Sequence, residues 1–407
     1  MRLFGIVLIC LTFSGCGLRS YFKISDAMEQ ESVSPNSFKQ EIPFRDEGGN
    51  IIIDVQIGSE IYNFIFDTGA STILDDDIVK LMNYEKIGTQ KHKGTSNEKK
   101  ILKVIKLDEL SIGDVRFSSI VASITDLDPL KKKFCLDFDG IIGANVMNKF
   151  VWQIDYSRKI ITLTDSRDSL AHPSDARTID FNATGKGTPM LGLSINGQYI
   201  GEGKLDTGSN GGIDLPIKDL VTVDSVNRFI VKQGFSSGLF ADRLESSKTT
   251  IISNLQIGSD FEIENALVTF NKALPYALIG NKFLRNYLVT IDWNYQEVTL
   301  SSFKPHKDRK HHTFGFTPAL KEGKIVIGSI YEDSSADREG LKLNDQIVQI
   351  NAIDFRNSTH ESFCELLNNA SLKDAAELTI TVKRDEEEIK RVLTKQDLVK
   401  DVLNFEY

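Results

Sequence analysis

A mainly β molecule, made of one unit used twice and followed by a small α+β domain, is what the sequence predicts. Three observations carry that expectation. From about residue 39 to 303 the chain consists of short alternating or wholly apolar runs cut by turn signals. Within that span, several features recur in the same order at nearly one offset. After residue 313 the pattern changes to strands interleaved with capped helices. A length of 407 residues fits two or three domains rather than one.

The N-terminus reads as a targeting segment. Met1-Arg2 gives a positive start, Leu3 to Phe13 is an apolar run, and Ser14-Gly15-Cys16 follows. The run is short for a membrane span. Small residues directly before Cys resemble the lipobox of bacterial lipoproteins. That resemblance implies a signal peptide over 1–15, a lipidated Cys16 and an exported, membrane-anchored protein of the periplasm or cell envelope. Phe13 stands where that motif usually has Leu. Residues 16–38 are polar without sustained periodicity and read as a lipid-anchored tether.

The first β unit is expected over 39–170. Ile51 to Ile57 turns at Gly58-Ser59 into Ile61 to Phe66, a hairpin that ends on Asp67-Thr68-Gly69. A polar segment near 90–100 has the look of a mobile hairpin tip. Ile141-Ile142-Gly143 and Trp152-Gln153-Ile154-Asp155-Tyr156 follow. The second unit, 171–303, repeats the order. Leu191 to Ile195 turns at Asn196-Gly197 into Gln198-Tyr199-Ile200 and reaches Asp206-Thr207-Gly208, with Leu278-Ile279-Gly280 and Ile291-Asp292-Trp293 after it. The aspartates lie 139 residues apart, and the later glycines 137. Such agreement marks a duplication.

Residues 304–312 are a basic, histidine-bearing linker, with no acidic or Cys partners at metal-ligand spacing. The last unit spans 313–407. It has strands at 325–330, 346–350, 378–382 and 389–393, a short capped helix from Ser334 to Gly340, and an amphipathic helix from Thr359 to Asn369.

Net charge is −9, so a general nucleic-acid binder is excluded, because phosphate neutralisation needs a basic surface. Of four cysteines, Cys10 would leave with the signal and Cys16 would carry lipid. Cys135 and Cys364 remain, far apart in sequence, and no disulfide framework or metal site is read from them.

Two Asp-bearing turns in a duplicated unit have a chemical rationale. Two carboxylates brought together cannot both ionise easily, so the pair shares a proton. Such a dyad can hold a water, one carboxylate taking its proton while the other polarises a carbonyl. Hydrolysis then needs neither metal nor covalent intermediate. On Asp67-Thr68-Gly69-Ala70-Ser71, Asp206-Thr207-Gly208-Ser209-Asn210 and the two apolar-apolar-Gly elements, the chain resembles aspartic proteases of the retropepsin and pepsin type. The resemblance implies a two-lobed acid-protease fold and catalytic Asp67 and Asp206. It also implies supporting Thr68, Gly69, Thr207 and Gly208, a flap near 90–100, no cofactor, and a monomer holding both lobes. The aromatic flap residue of pepsins has no clear counterpart. The C-terminal unit resembles a PDZ domain, on Thr313-Phe314-Gly315-Phe316 and Gly340-Leu341-Lys342-Leu343-Asn344-Asp345-Gln346-Ile347, with Asn344 in place of the usual Gly. That implies a groove at Phe314, Gly315 and Phe316 for a C-terminal peptide bound by strand addition; a structural docking role is the alternative.

Other signals are weaker. Gly234-Phe235-Ser236-Ser237-Gly238 fits a Gly-x-Ser-x-Gly elbow, but that elbow needs a strand before it and a helix after it. It falls here at the flap equivalent of the second unit. Asp75-Asp76-Asp77 reads as a solvated face or helix start. The function expected is a membrane-tethered, exported aspartic endopeptidase acting on protein or peptide substrates, its PDZ-like domain assisting. The alternative is a catalytically silent scaffold that binds peptides or proteins. Presence of both aspartates favours the enzyme.

Overall fold

A computed structural model describes residues 15–405, apart from Asn83, 94–98, His172, 223–227, 238–241, Ala273 and 303–309. Mainly β architecture is found, and the duplication is visible in it. Strand Asn50–Ile57 turns into Glu60–Asp67, and strand Pro189–Ile195 turns into Gln198–Asp206. The second turn places Asn196 at φ 48° and Gly197 at φ 81°, the left-handed pair that a two-residue hairpin with native twist demands. In each lobe a short strand ending in Gly lies parallel beside the Asp-bearing strand. Gly143 is paired with Asp67, and Gly280 with Asp206.

The lobes meet in a six-stranded antiparallel sheet. Its two central strands, Val151–Asp155 and Tyr287–Asp292, are the repeated Ile-Asp-aromatic segments, paired so that Trp152 opposes Ile291. Both strands are apolar because both faces are covered. Trp152 is fully buried, and its ring lies 5.2 Å from that of Phe66, directly before Asp67. One continuous core thus runs through both lobes.

The N-terminal segment differs from the tether expected. Residues Gly15–Glu29 form helix α1, and Ile24 and Ala27 are buried against Ile87, Val104 and Val121 of the first lobe. The stripe Ile24, Ala27, Met28 covers barely one turn, too brief to register as periodicity; the sheet beneath supplies the reason for the helix. The side chain of Cys16 and residues 1–14 lie outside the described residues. Among the described residues, no helix is long and apolar enough to cross a membrane.

The linker ends earlier than expected. His312–Thr313 pairs with Gln396–Asp397 and His311 N–H donates to Asp397 Oδ1, so His311 and His312 belong to the last unit, while 304–309, His306 included, lie outside the described residues. That unit carries its own core around Ile327, Ile347, Ile380 and Val382. Ser334 caps the helix Ser335–Arg338, and Thr359 opens α3, His360–Asn368, with a reciprocal capping box. Helix α2, Asp128–Phe134, belongs to the first lobe. Asn344 takes φ 68°, the left-handed conformation that lets it replace glycine.

Two contacts tie this unit to the lobes. Lys232 and Gly234 of strand Ile230–Ser237 pair with Tyr331 and Ser329, joining the sheets. The terminal helix α4, Leu398–Asp401, buries Leu398 and Val399 against Ile230, Ile251 and Leu267 of the second lobe. A third tie is covalent. Cys135, just after α2, forms a disulfide with Cys364 of α3, correcting the reading that no disulfide is present. Sequence could not pair two cysteines 229 residues apart; the fold brings their Cα atoms to 5.4 Å.

Candidate active site

Asp67 and Asp206 arrive from two lobes at one point. Each sits at the end of a strand, and the backbone turns at the following Thr-Gly. Gly69 N–H donates to Asp67 Oδ1 at 2.7 Å, and Gly208 N–H donates to Asp206 Oδ1 at 3.1 Å. The loops are locked together by their threonines. Thr68 Oγ1 donates to Leu205 O and accepts from Thr207 N–H, at 2.7 and 3.1 Å. Thr207 Oγ1 donates to Phe66 O and accepts from Thr68 N–H, at 2.8 and 3.0 Å. All four bonds are buried, and each hydroxyl is satisfied as donor and acceptor.

The glycines fix how closely the carboxyls approach. A Cβ on Gly69 would stand 2.4 Å from Asp206 Cγ, and one on Gly208 2.3 Å from Asp67 Cγ. Each glycine is the floor beneath the opposite carboxyl, so only a residue without Cβ fits. The two carboxyls lie within side-chain hydrogen-bonding reach of one another. Burial, then the charge of Asp206, push Asp67 up to about 8. The pair therefore retains a proton where an ordinary carboxyl has lost it.

Around the pair stand residues that the motifs did not announce. Lys204, two residues before Asp206, donates to Gly69 O at 2.9 Å and to Tyr276 OH at 3.2 Å. Burial pulls its pKa down, but the Asp206 charge and Tyr276 outweigh it and hold the ammonium charged. Asn281 donates to Thr207 O at 2.6 Å and to Gly49 O at 3.0 Å, while Tyr156 OH donates to its Oδ1 at 2.8 Å. In the first lobe Asn145 Oδ1 accepts from Thr72 N–H at 2.7 Å. The only signal for these asparagines was their place after the repeated glycines. Strands Tyr84–Lys93 and Lys99–Ile112 pair as an antiparallel hairpin across the segment where a flap is expected. Lys186 of the second lobe reaches its Gln90 at 3.1 Å. The tip, 94–98, lies outside the described residues.

The remaining candidates fall as follows. Gly234 to Ser237 lies within strand Ile230–Ser237, not on a strand-to-helix elbow, and Gly238 lies outside the described residues. Asp75 is buried and paired with Lys131 at 2.5 Å, so that carboxylate is a structural ion-pair partner rather than a solvated one. In the last unit, Phe314 is buried in the core, Gly315 takes φ 97°, and Phe316 starts the strand Phe316–Lys321. That strand pairs on one side only among the described residues. Between it and α3 runs an apolar groove of about 330 Å³, lined by Phe314, Phe316, Pro318, Leu366 and Leu367.

Family models match two segments of the chain. Residues 53–146 match the aspartyl protease model, a span that holds Asp67 but not Asp206. Residues 303–383 match the PDZ domain. The last unit is a PDZ domain. Human gamma-2-syntrophin is 43% identical over 60 residues, 14% of this chain and 10% of that protein; the mouse protein is 33% identical over 96 residues, 22% and 16%. The chain thus spans about a tenth to a sixth of the curated relatives it matches. Among solved structures, basic 7S globulin from soybean is similar with a TM-score of 0.40 at 11% identity, over 67% of this chain and 97% of that one.

Proposed function

We propose that the protein is an aspartic endopeptidase, in which Asp67 and Asp206 together activate one water for attack on a peptide carbonyl. The observation that carries this reading is the pairing itself. Two carboxyls from repeated loops meet, locked by reciprocal threonine bonds, each seated over the other lobe's glycine. A proton held by Asp67 up to about pH 8 supports the division of labour: the proton-bearing carboxyl polarises the carbonyl and the other accepts the proton of water. Thr68 and Thr207 hold the geometry. The PDZ domain, with an open strand edge facing an apolar groove, would bind a substrate or partner by its C-terminal segment.

Tethering is part of the same proposal. The small-residue run before Cys16 supports lipidation there, and the Cys135–Cys364 bridge is in keeping with an oxidising envelope compartment.

The direct test is cleavage of casein or a peptide library by the purified protein beside Asp67→Asn and Asp206→Asn. Either change is expected to lower kcat/KM by about 10²–10⁴. Activity that survives either substitution removes the dyad from the mechanism.

A further inference from the structure

The two lobes treat the same face of their sheets in opposite ways. In the first lobe Ile73 pairs with Ile141 and Ser123; in the second, Asp214 holds the matching register, pairing with Leu278 and Thr269. Around Ile73 the face is apolar and closed, with Leu127, Leu136 and Phe138 packed on it and α1 covering Val104 and Val121. Around Asp214 it is polar across four strands, carrying Thr269 and Asn271, then Glu245, Ser247 and Thr249, then Lys232. Among the described residues, no segment like α2 fills the space above. Instead His311 and Tyr331 from the PDZ side roof it, their rings 5.1 Å apart, and a cavity of about 600 Å³ remains between lobe and PDZ domain. That size lies within the range of small-molecule sites.

The charges in this cavity act on one another through space but form no direct pair. No hydrogen bond or ion pair among the described residues engages the side chains of Asp214, Lys232 or Lys282, all of which line it. Glu245 Oε1 accepts from Asn271 at 3.0 Å, while its Oε2 is buried and unpartnered. Burial raises Asp214 to about 6 against the opposing charges of Lys282 and Lys232, and lowers Lys232 against those of Glu245 and Asp214. For both groups desolvation thus outweighs the neighbouring charges and, for Lys232, the Tyr331 ring 5.9 Å away. Two carboxylates and two ammoniums line this cavity with no direct ion pair between them, Lys282 at an exposed position, and together suit a ligand carrying both signs.

We propose that this cavity is a binding site for a small zwitterion, the chemistry of an amino acid or a short peptide with both ends free. Asp214 and Glu245 receive its ammonium, and Lys232 and Lys282 its carboxylate, as charge-assisted hydrogen bonds. Phe235 and Phe283 offer apolar surface to its middle. Because Lys232 pairs with Tyr331 across the junction, an occupied site ties the second lobe to the PDZ domain. The proposal does not depend on peptide hydrolysis.

Calorimetric titration of the full chain with trialanine, alanine and N-acetyl-trialanine amide tests it. Trialanine, alanine or both should bind, and whichever binds identifies the peptide or the amino acid as the ligand; the capped peptide should not. Asp214→Asn, nearly isosteric, and Lys282→Gln, at an exposed position, should each weaken binding about tenfold or more. Equal binding of the capped peptide, binding unchanged in both variants, or no heat with either free probe overturns the assignment.

Discussion

Lys204 occupies the position that Ile65 holds in the first lobe; each is paired with the residue preceding the Ile-Gly of the adjacent short strand. The substitution puts one cation beside two carboxyls and makes an otherwise symmetric site asymmetric. Its charge opposes the rise of the Asp67 pKa, which burial and Asp206 drive. If the active form is the singly protonated pair, kcat/KM should hold through neutral pH and fall on an alkaline limb near 8. Lys204→Met should move that limb to higher pH and Lys204→Arg should leave it near its original place. A limb indifferent to the charge would remove Lys204 from the electrostatics of the pair. Stability carries the same sign. The folded Asp67 value lies above the ordinary 3.8, so the native state keeps a proton that the unfolded chain gives up. Its contribution is complete at acid pH and is lost as pH rises through about 8. Urea midpoints should therefore depend less on pH in Asp67→Asn than in the wild type. In sequence, Lys204 was an unremarked flank of Asp206; a lone strand lysine carries no signal until its neighbours are known.

At the scale of elements, the paired loops behave as one unit. Thr207→Val keeps the shape of the side chain but removes the bonds that Thr207 Oγ1 makes to Phe66 O and accepts from Thr68 N–H. Each bond lost from a buried group costs about 1–3 kcal/mol. The variant should lose roughly 2–5 kcal/mol by urea unfolding, and activity with it. A loss below that of an exposed Thr→Val control would mean the reciprocal bonds are not structural. Gly208→Ala is a sharper probe, since its methyl group would overlap the Asp67 carboxyl. The hairpins leading to these loops were legible because alternation and Asn196-Gly197 are local signals. Helix α1 was not, since its short stripe gains meaning only from Val104 and Val121 below it. The PDZ strands and the cap at Ser334 were legible for the same local reason.

The whole molecule is more closely knit than a string of three domains. The PDZ domain is joined to the second lobe through strand pairing and α4, and to the first through Cys135–Cys364. His360 Nε2 also lies 2.7 Å from Lys132 O, so α2 rests at the start of the groove-lining helix α3. Removing 313–407 would strip the cover from Ile230, and truncation therefore tests stability together with substrate capture. Cys364→Ser is the cleaner change. It should lower stability by about 2–4 kcal/mol under oxidising conditions and match the reduced wild type. An unchanged melting temperature would show that the bridge is not formed in solution. None of this was readable from sequence, where a disulfide between distant cysteines and a docked terminal helix leave no periodic trace. The joining of lobes was readable, because the duplication demanded that Asp67 and Asp206 meet. That meeting is tested most directly by a ¹³C-carboxyl NMR titration of aspartate-labelled protein, with Asp67 assigned through Asp67→Asn. Asp67 is expected to titrate near 8 and its value to fall in Asp206→Asn. Titration of Asp67 near the ordinary 3.8, unaffected by Asp206→Asn, would contradict that expectation.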